Sequence, residues 1–244
     1  MTKNFAHRGF SANFPENTLL AFEKAIEAGA EGIEFDVHLT RDGIPVIHHD
    51  EKLERTTNGT GLIGKYTFDE LQQLDASGKF KGLVPPQRIP SLRQYFELVS
   101  GANIISNIEL KNNVIQYPEI EQRVLDLIEE FNAQGDVIVS SFNHYSIRSF
   151  KKLAPEIQTG VLEESQIVNP GEYAKSLKAE NYHPYFHSLT DEIIQNLHAH
   201  QIKINAWTIN DSNDMLAAIK MKLDGIITNY PDILSKLLQE ASRK

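Results

Sequence analysis

Residues 32–50, GIEFDVHLTRDGIPVIHHD, set Glu34, Asp36 and three histidines among residues that suit the interior of a β-sheet. Such groups are costly to bury, so their spacing is informative. Glu34 and Asp36 are two apart, so on a strand they share a face with Cα atoms roughly 6.6 Å apart. Both carboxylates then reach one cation at about 2.1–2.6 Å. Asp42-Gly43, between two β-type runs, reads as a two-residue hairpin turn. Arg41 then pairs with Ile44, and counting outward places Asp36 opposite His49. Opposed residues share a face, whereas His48 points to the other side. Glu34, Asp36 and His49 are expected to converge.

Two other short runs end in comparable fashion. "AHRG" delivers His7 and Arg8, and "NIELK" delivers Glu109 and Lys111 on one strand face. In neighbouring strands these residues surround a single point. Three carboxylates together repel strongly unless a cation neutralises them. A hard divalent ion, Ca²⁺ or Mg²⁺, suits the oxygen donors, and zinc suits them less well. Two imidazoles beside such an ion suit acid–base work on a phosphate ester. One accepts a proton from the attacking hydroxyl or water, and the other protonates the departing alkoxide, each contributing roughly 10²–10⁴-fold. The ion polarises a phosphoryl oxygen, and Arg8 and Lys111 supply donors to phosphate. Alone, His7 or His49 reads as a satisfied core histidine, and Lys111 as a surface residue. His38, His48, His144, His183, His187, His198 and His200 take that bland reading. Trp207 and Phe142, each just beyond a strand, are either core or an apolar wall at the mouth of the site.

The elements that must hold these residues alternate along the chain. Strands are expected at Asn4–His7, Gly32–Asp36, Ile104–Glu109, Val137–Ser141, Ile157–Val161, Glu180–Tyr185, Ile202–Ala206 and Gly225–Thr228, each short and mostly apolar or β-branched. Helical patterns follow: Asn17–Ala28, with Asn17 as cap and Gly29 as stop, then Ser91–Val99, Pro118–Phe131, His144–Leu153, Asn169–Leu177, Thr190–His200, Asp211–Met221 and Pro231–Leu238. Eight β-then-α units in 244 residues predict a (β/α)₈ TIM barrel forming one domain over 1–244. A doubly wound sheet is the alternative. Residues 51–89 break the alternation with turn-rich "TTNGTG", "SGKFKG" and "PPQRIP", and read as an insertion after the second strand with a short helix at Thr67–Leu74.

The net charge is −9 and the chain has no cysteine. An acidic chain repels nucleic-acid backbones, so no nucleic-acid partner is expected. Thiolate chemistry, disulfides and thiolate metal sites are excluded. The sequence shows no signal core and no run of membrane-spanning length, so a cytoplasmic protein without membrane insertion is expected. Dinucleotide-binding, P-loop and nucleophile-elbow motifs are missing as well.

"FAHRGFSANFPENTLLAFEKAIEAGAEGIEFDVHLTRDGIPVIHHDEKLERTTNGTG" resembles the N-terminal signature of the glycerophosphodiester phosphodiesterases. The likeness continues in order through "RIPSL", "NIELK", "VSSF", "AWTIN" and "DGIITNYP", covering almost the whole chain. It implies a TIM barrel that uses a divalent cation to hydrolyse small-molecule glycerophosphodiesters to sn-glycerol 3-phosphate and an alcohol. Attack by the glycerol 2-hydroxyl and opening of a cyclic phosphate would be the route. The motif positions imply Glu34, Asp36 and Glu109 as metal ligands and His7 and His49 as the acid–base pair. Arg8 and Lys111 would meet the phosphate, with Trp207 at the glycerol end. Members of that family often have Asp where this chain has Asn229, although Asn is also familiar there, and the departure is expected to put nothing catalytic in doubt. The competing expectations are a phospholipase-type enzyme acting on intact lipids, which calls for an exposed apolar or basic rim, and a barrel that binds phosphoesters without catalysis.

Overall fold

The computed structural model describes residues 2–243. Its nine strands are β1 (Lys3–His7), β2 (Gly32–Leu39), β3 (Pro45–Ile47), β4 (Ile105–Leu110), β5 (Val137–Ser141), β6 (Gln158–Glu163), β7 (Asn181–Pro184), β8 (Lys203–Ala206) and β9 (Gly225–Thr228). The sheet runs β1-β9-β8-β7-β6-β5-β4-β2-β3, and pairing of β1 with β2 closes it. Every pairing is parallel except that of β2 with β3. The molecule is therefore a closed barrel of eight parallel strands, with β3 as an added antiparallel strand. β2 is buried along its whole length, and Ile33, Phe35, Val37 and Leu39, which join an apolar core layer, alternate with the buried polar Glu34, Asp36 and His38.

The helices α1 (Leu19–Glu27), α3 (Leu92–Val99), α4 (Ile120–Glu130), α5 (His144–Leu153), α6 (Pro170–Ser176), α7 (Asp191–Ala199), α8 (Ser212–Lys220) and α9 (Pro231–Ser242) follow strands in turn, and α2 (Phe68–Leu71) lies between β3 and α3. Their starts are chemically marked. Ser91 and Thr67 form reciprocal capping boxes with Gln94 and Glu70, and the side chains of Thr190 and Asp211 accept N–H bonds from their own first turns. Among the described residues, no helix is long and apolar enough to cross a membrane.

Two apolar layers lie between sheet and helices. One is built on Phe22, Phe35 and Tyr95, the other on Tyr182, Ile194 and Leu197. Inside the barrel, Phe5 packs with Ile138 and Ile227 as a floor. Gly32 is required beside it, because a side chain there would run into the Phe5 ring. The stretch between β3 and α3 gathers a core of its own from Leu53, Ile63, Leu71 and Ile89, continuous with Val46 of β3.

The hairpin differs from its expected register by one residue. Val37 pairs with Ile47, His38 with Val46 and Leu39 with Pro45. The loop has three residues: Gly43 N–H donates to the Thr40 carbonyl at 3.0 Å, and Thr40 N–H to the Ile44 carbonyl at 3.1 Å. Gly43 takes φ +78°, the left-handed residue that closes a three-residue hairpin loop. His48, not His49, thus lies opposite Asp36, and its N–H donates to the Asp36 carbonyl at 2.9 Å.

Candidate active site

Strand register brings the acids together. His7 is level with Glu34 across β1 and β2, and Asp36 with Glu109 across β2 and β4. Glu34, Asp36 and Glu109 are all buried, and one carboxylate oxygen of each lies within 4.8 Å of the others. A cavity of about 500 Å³ opens above them, lined by His7, Arg8, Glu34, His49, Glu109, Lys111, Phe142 and Trp207 among others. Among the site residues read from the sequence, Asp36 alone lies beneath that lining, at the floor of the acidic cluster.

His49 reaches the cavity by a different route from the one expected. The ladder ends at Ile47, and the chain turns so that His48 is buried with Nε2 3.2 Å from the Lys52 carbonyl. His49, one residue further on, faces the cavity and is half-buried. Its carbonyl meets Nε2 of the buried His38, whose Nδ1 lies 3.0 Å from the Tyr117 hydroxyl. A carbonyl only accepts, so His38 donates from Nε2 and buttresses the His49 backbone.

The arrangement at the β1 end is strained and tightly tied. Arg8 adopts φ +57°, a costly conformation for a residue with a side chain. Its N–H donates to the Glu34 carbonyl at 2.7 Å and lies 3.2 Å from Glu34 Oε2. Gly9 follows at φ +79°, and a Cβ there would sit 2.7 Å from the Ala21 carbonyl carbon, so only glycine lets the loop close over α1. Asn17 is not the helix cap. Thr18 takes that role by accepting from Ala21 N–H, while Asn17 at φ +58° turns its amide to donate to Asp36 Oδ2 at 2.9 Å.

Two cations oppose three acids. Lys111 Nζ lies 2.9 Å from Glu109 Oε1 and 3.6 Å from Asp36 Oδ1, and Arg8 Nε lies 3.5 Å from Asp36 Oδ2. Burial disfavours the Asp36 carboxylate, but His49, Arg8 and Lys111 together hold it below the usual range. Burial, Asp36 and Glu109 push Glu34 well above its ordinary value. Glu109 is raised too, by burial and Asp36 against the opposing pull of Lys111. Burial and mutual repulsion thus both work against full ionisation of the three acids. His7 is lowered to about 3 by burial and by the Arg8 charge, so its ring is neutral at pH 7. Nδ1 of that ring donates to Asn229 Oδ1 at 2.6 Å, which leaves Nε2 free, 3.9 Å from Glu34 Oε2. His49 Nδ1 donates to Asp50 Oδ1 at 2.6 Å, and its Nε2 is likewise free for the cavity.

On the far wall, Phe142 and Trp207 meet edge to face at 5.6 Å. Trp207 Nε1 donates to the His183 carbonyl at 2.8 Å, which fixes the indole plane. Trp207 is half-buried and forms an apolar wall rather than core.

Glu16, Asp50 and Arg55 belong to the site or its support without having been read as such from the sequence, as do Asn17, expected there as a helix cap, and Asn229, expected to leave nothing catalytic in doubt. Asp50 had the plainest signal, standing directly after His49. Glu16 lies in "PENT" after the "HRG" turn, and Asn17 was hidden by its cap-like position. Glu16 receives Arg8 Nη1 at 2.8 Å and both Nη atoms of Arg55 at 2.8 and 2.9 Å. Burial alone would raise its carboxyl, but these two arginines bring it from 4.5 to about 2. A lowered folded value means stability that is present above about pH 4.5 and is lost as pH falls toward 2. The thermal midpoint of the parent is expected to fall more steeply across that window than that of Glu16→Gln, as read by calorimetry over a pH series. Parallel slopes would show that the pairing contributes nothing.

Residues 7–233 match the model of the Glycerophosphoryl diester phosphodiesterase family. The glycerophosphodiester phosphodiesterase of Caldanaerobacter subterraneus subsp. tengcongensis is 42% identical over 235 residues, which is 96% of this chain and 97% of the relative. That of Bacillus altitudinis is 44% identical over 243 residues, 98% and 99% of the two chains. A phosphodiesterase of Oleispira antarctica, solved in complex with the product sn-glycerol-3-phosphate, superposes with a TM-score of 0.86 at 33% identity, covering 96% of each chain.

Proposed function

The chain belongs to the glycerophosphoryl diester phosphodiesterase family, and from that premise we propose that it hydrolyses glycerophosphodiesters to sn-glycerol 3-phosphate and an alcohol, with a divalent cation on Glu34, Asp36 and Glu109 and with His7 and His49 exchanging the protons. The convergence of three buried acids, two imidazoles and two cationic side chains on one cavity carries this reading.

The residues present fit a bound cation. Two oxygens across one Ca²⁺ stand up to about 5 Å apart, and the three carboxylates already offer oxygens within 4.8 Å of one another. Asn17 Oδ1 is buried without a partner among the described residues, a further acceptor beside Asp36. Glu34 and Glu109 are raised first by burial and then by neighbouring carboxylates, a cost that a cation held among them would offset. Ca²⁺ and Mg²⁺ both accept such oxygens; when bound, either supplies Lewis-acid polarisation of a phosphoryl oxygen and screens the developing negative charge.

The protein's own side chains account for the remaining work. His7, neutral with Nε2 open, is the ring ready to take a proton from the glycerol 2-hydroxyl or from water. His49, with the Asp50 carboxylate on Nδ1, is the ring built to carry a proton and release it to the departing alkoxide. Arg8 offers a planar fork and Lys111 a point charge to the phosphate oxygens. Phe142 and Trp207 shape the glycerol end and exclude water there. All of this sits in one barrel unit, with Glu51, at the start of the 51–89 insertion, on the cavity lining.

Release of sn-glycerol 3-phosphate from soluble glycerophosphocholine, followed by a coupled assay with and without added Ca²⁺ or Mg²⁺, tests the reading. Turnover only on phospholipid vesicles would transfer the activity to intact lipids, and no turnover on either would leave a binding barrel. Trp207→Ala is expected to raise KM roughly 10-fold, about 1.4 kcal/mol of lost apolar contact, with a smaller change in kcat. An unchanged KM would remove Trp207 from the substrate wall.

A further inference from the structure

A continuous run of charge links one catalytic arm to the other through the stretch between β3 and α3. His49 Nδ1 donates to Asp50 at 2.6 Å. Asp50 in turn receives Arg55 Nε on Oδ2 at 2.6 Å and Nη2 on Oδ1 at 3.0 Å. The far edge of the same guanidinium donates to Glu16 at 2.8 and 2.9 Å, and Glu16 Oε1 receives Arg8 Nη1 at 2.8 Å. One planar group thus grips two carboxylates, and each of these holds a residue that faces the cavity.

Taken singly, ion pairs at a half-exposed arginine contribute little, but a bidentate network is the exception. Its effect here is geometric. Without Arg55, Asp50 keeps only the His49 contact and Glu16 only the Arg8 contact, so nothing ties the two arms to a common frame. Lysine cannot replace the fork, because a point charge cannot donate from two edges at once. We infer that Arg55 is a positioning residue: its guanidinium fixes the His49 ring through Asp50 and the Arg8 side chain through Glu16. The inference rests on the roles given above to His49 and Arg8, and it adds that the stretch between β3 and α3 sets their geometry.

The test uses Arg55→Met, which keeps the apolar stem, with Arg55→Lys and Asp50→Asn beside it, all in saturating Ca²⁺ or Mg²⁺ on glycerophosphocholine. Arg55→Met is expected to lower kcat at least 10-fold, measured well below its thermal midpoint, and to change KM less. Arg55→Lys is expected to restore only part of that loss. Because part of the effect of Arg55 runs through Asp50, adding Arg55→Met to Asp50→Asn is expected to lower kcat by a smaller factor than Arg55→Met lowers it in the parent. A crystal structure of Arg55→Met is expected to show Asp50 drawn away from His49 Nδ1, or Glu16 away from Arg8. A kcat within twofold of the parent overturns the inference, whatever happens to the midpoint. So does a variant structure in which both contacts persist. A parent without turnover counts against the proposed function instead, and the variant structure then still decides the role of Arg55.

Discussion

His49→Ala is expected to lower kcat by about 10²–10⁴-fold while the cation remains bound. The separation follows from what the ring touches. Its Nδ1 bonds Asp50, and no contact ties the ring to the three acids at the floor, so its removal leaves Glu34, Asp36 and Glu109 in place. Asp50 stays anchored by Arg55 after the ring is gone, and the half-buried ring gives up little packing. The loss therefore belongs to kcat, not to folding or cation affinity. Steady-state kinetics beside a calorimetric titration with Ca²⁺ or Mg²⁺ would show it. A kcat reduced less than tenfold would mean that another group transfers the proton, and a lost cation would mean that His49 is a ligand.

Glu34→Gln is expected to act in the opposite way, on the cation first. At a concentration 100 times its Kd, a ligand of the folded state stabilises by about 2.7 kcal/mol. For a chain of this size that is a rise in thermal midpoint of roughly 5–10 °C. The rise is expected in the parent and severalfold smaller in Glu34→Gln. Without the cation the order reverses. Burial, Asp36 and Glu109 raise Glu34, so its contribution to stability is full below its ordinary value of 4.5 and is lost as pH rises through the raised value. Chelated parent protein should therefore lose stability as pH climbs through that range, and chelated Glu34→Gln should lose less, with Glu109 left as the remaining raised carboxyl. Thermal melts across pH, with chelator and then with excess cation, read both effects. Equal midpoint rises in parent and variant would remove Glu34 from the ligand set.

Much of the fold was written in local chemistry. Strand runs such as Val137–Ser141 and Gly225–Thr228, and the helix starts at Ser91, Thr190 and Asp211, appear where apolar pattern and capping residues place them. These signals depend on neighbours within a few residues, which a linear reading contains. The pairing of Glu34 with Asp36 on one face has the same origin, since alternation along a strand needs no partner.

What lies between segments was decided by the folded chain. The hairpin loop has three residues and not two because Thr40 and a left-handed Gly43 close it, and that single residue shifts His48 into the place expected for His49. Asn17 looks like a cap in the sequence, yet Asp36, 19 positions away, claims its amide. Arg55 and Glu16 are 39 apart and carry no pattern that announces their contact. By itself the sequence determined which residues could bear the chemistry and the order of the elements that carry them. Only the closed barrel decided which of them meet, because register and ion pairing are fixed by the energy of the packed whole and not by any stretch of chain alone.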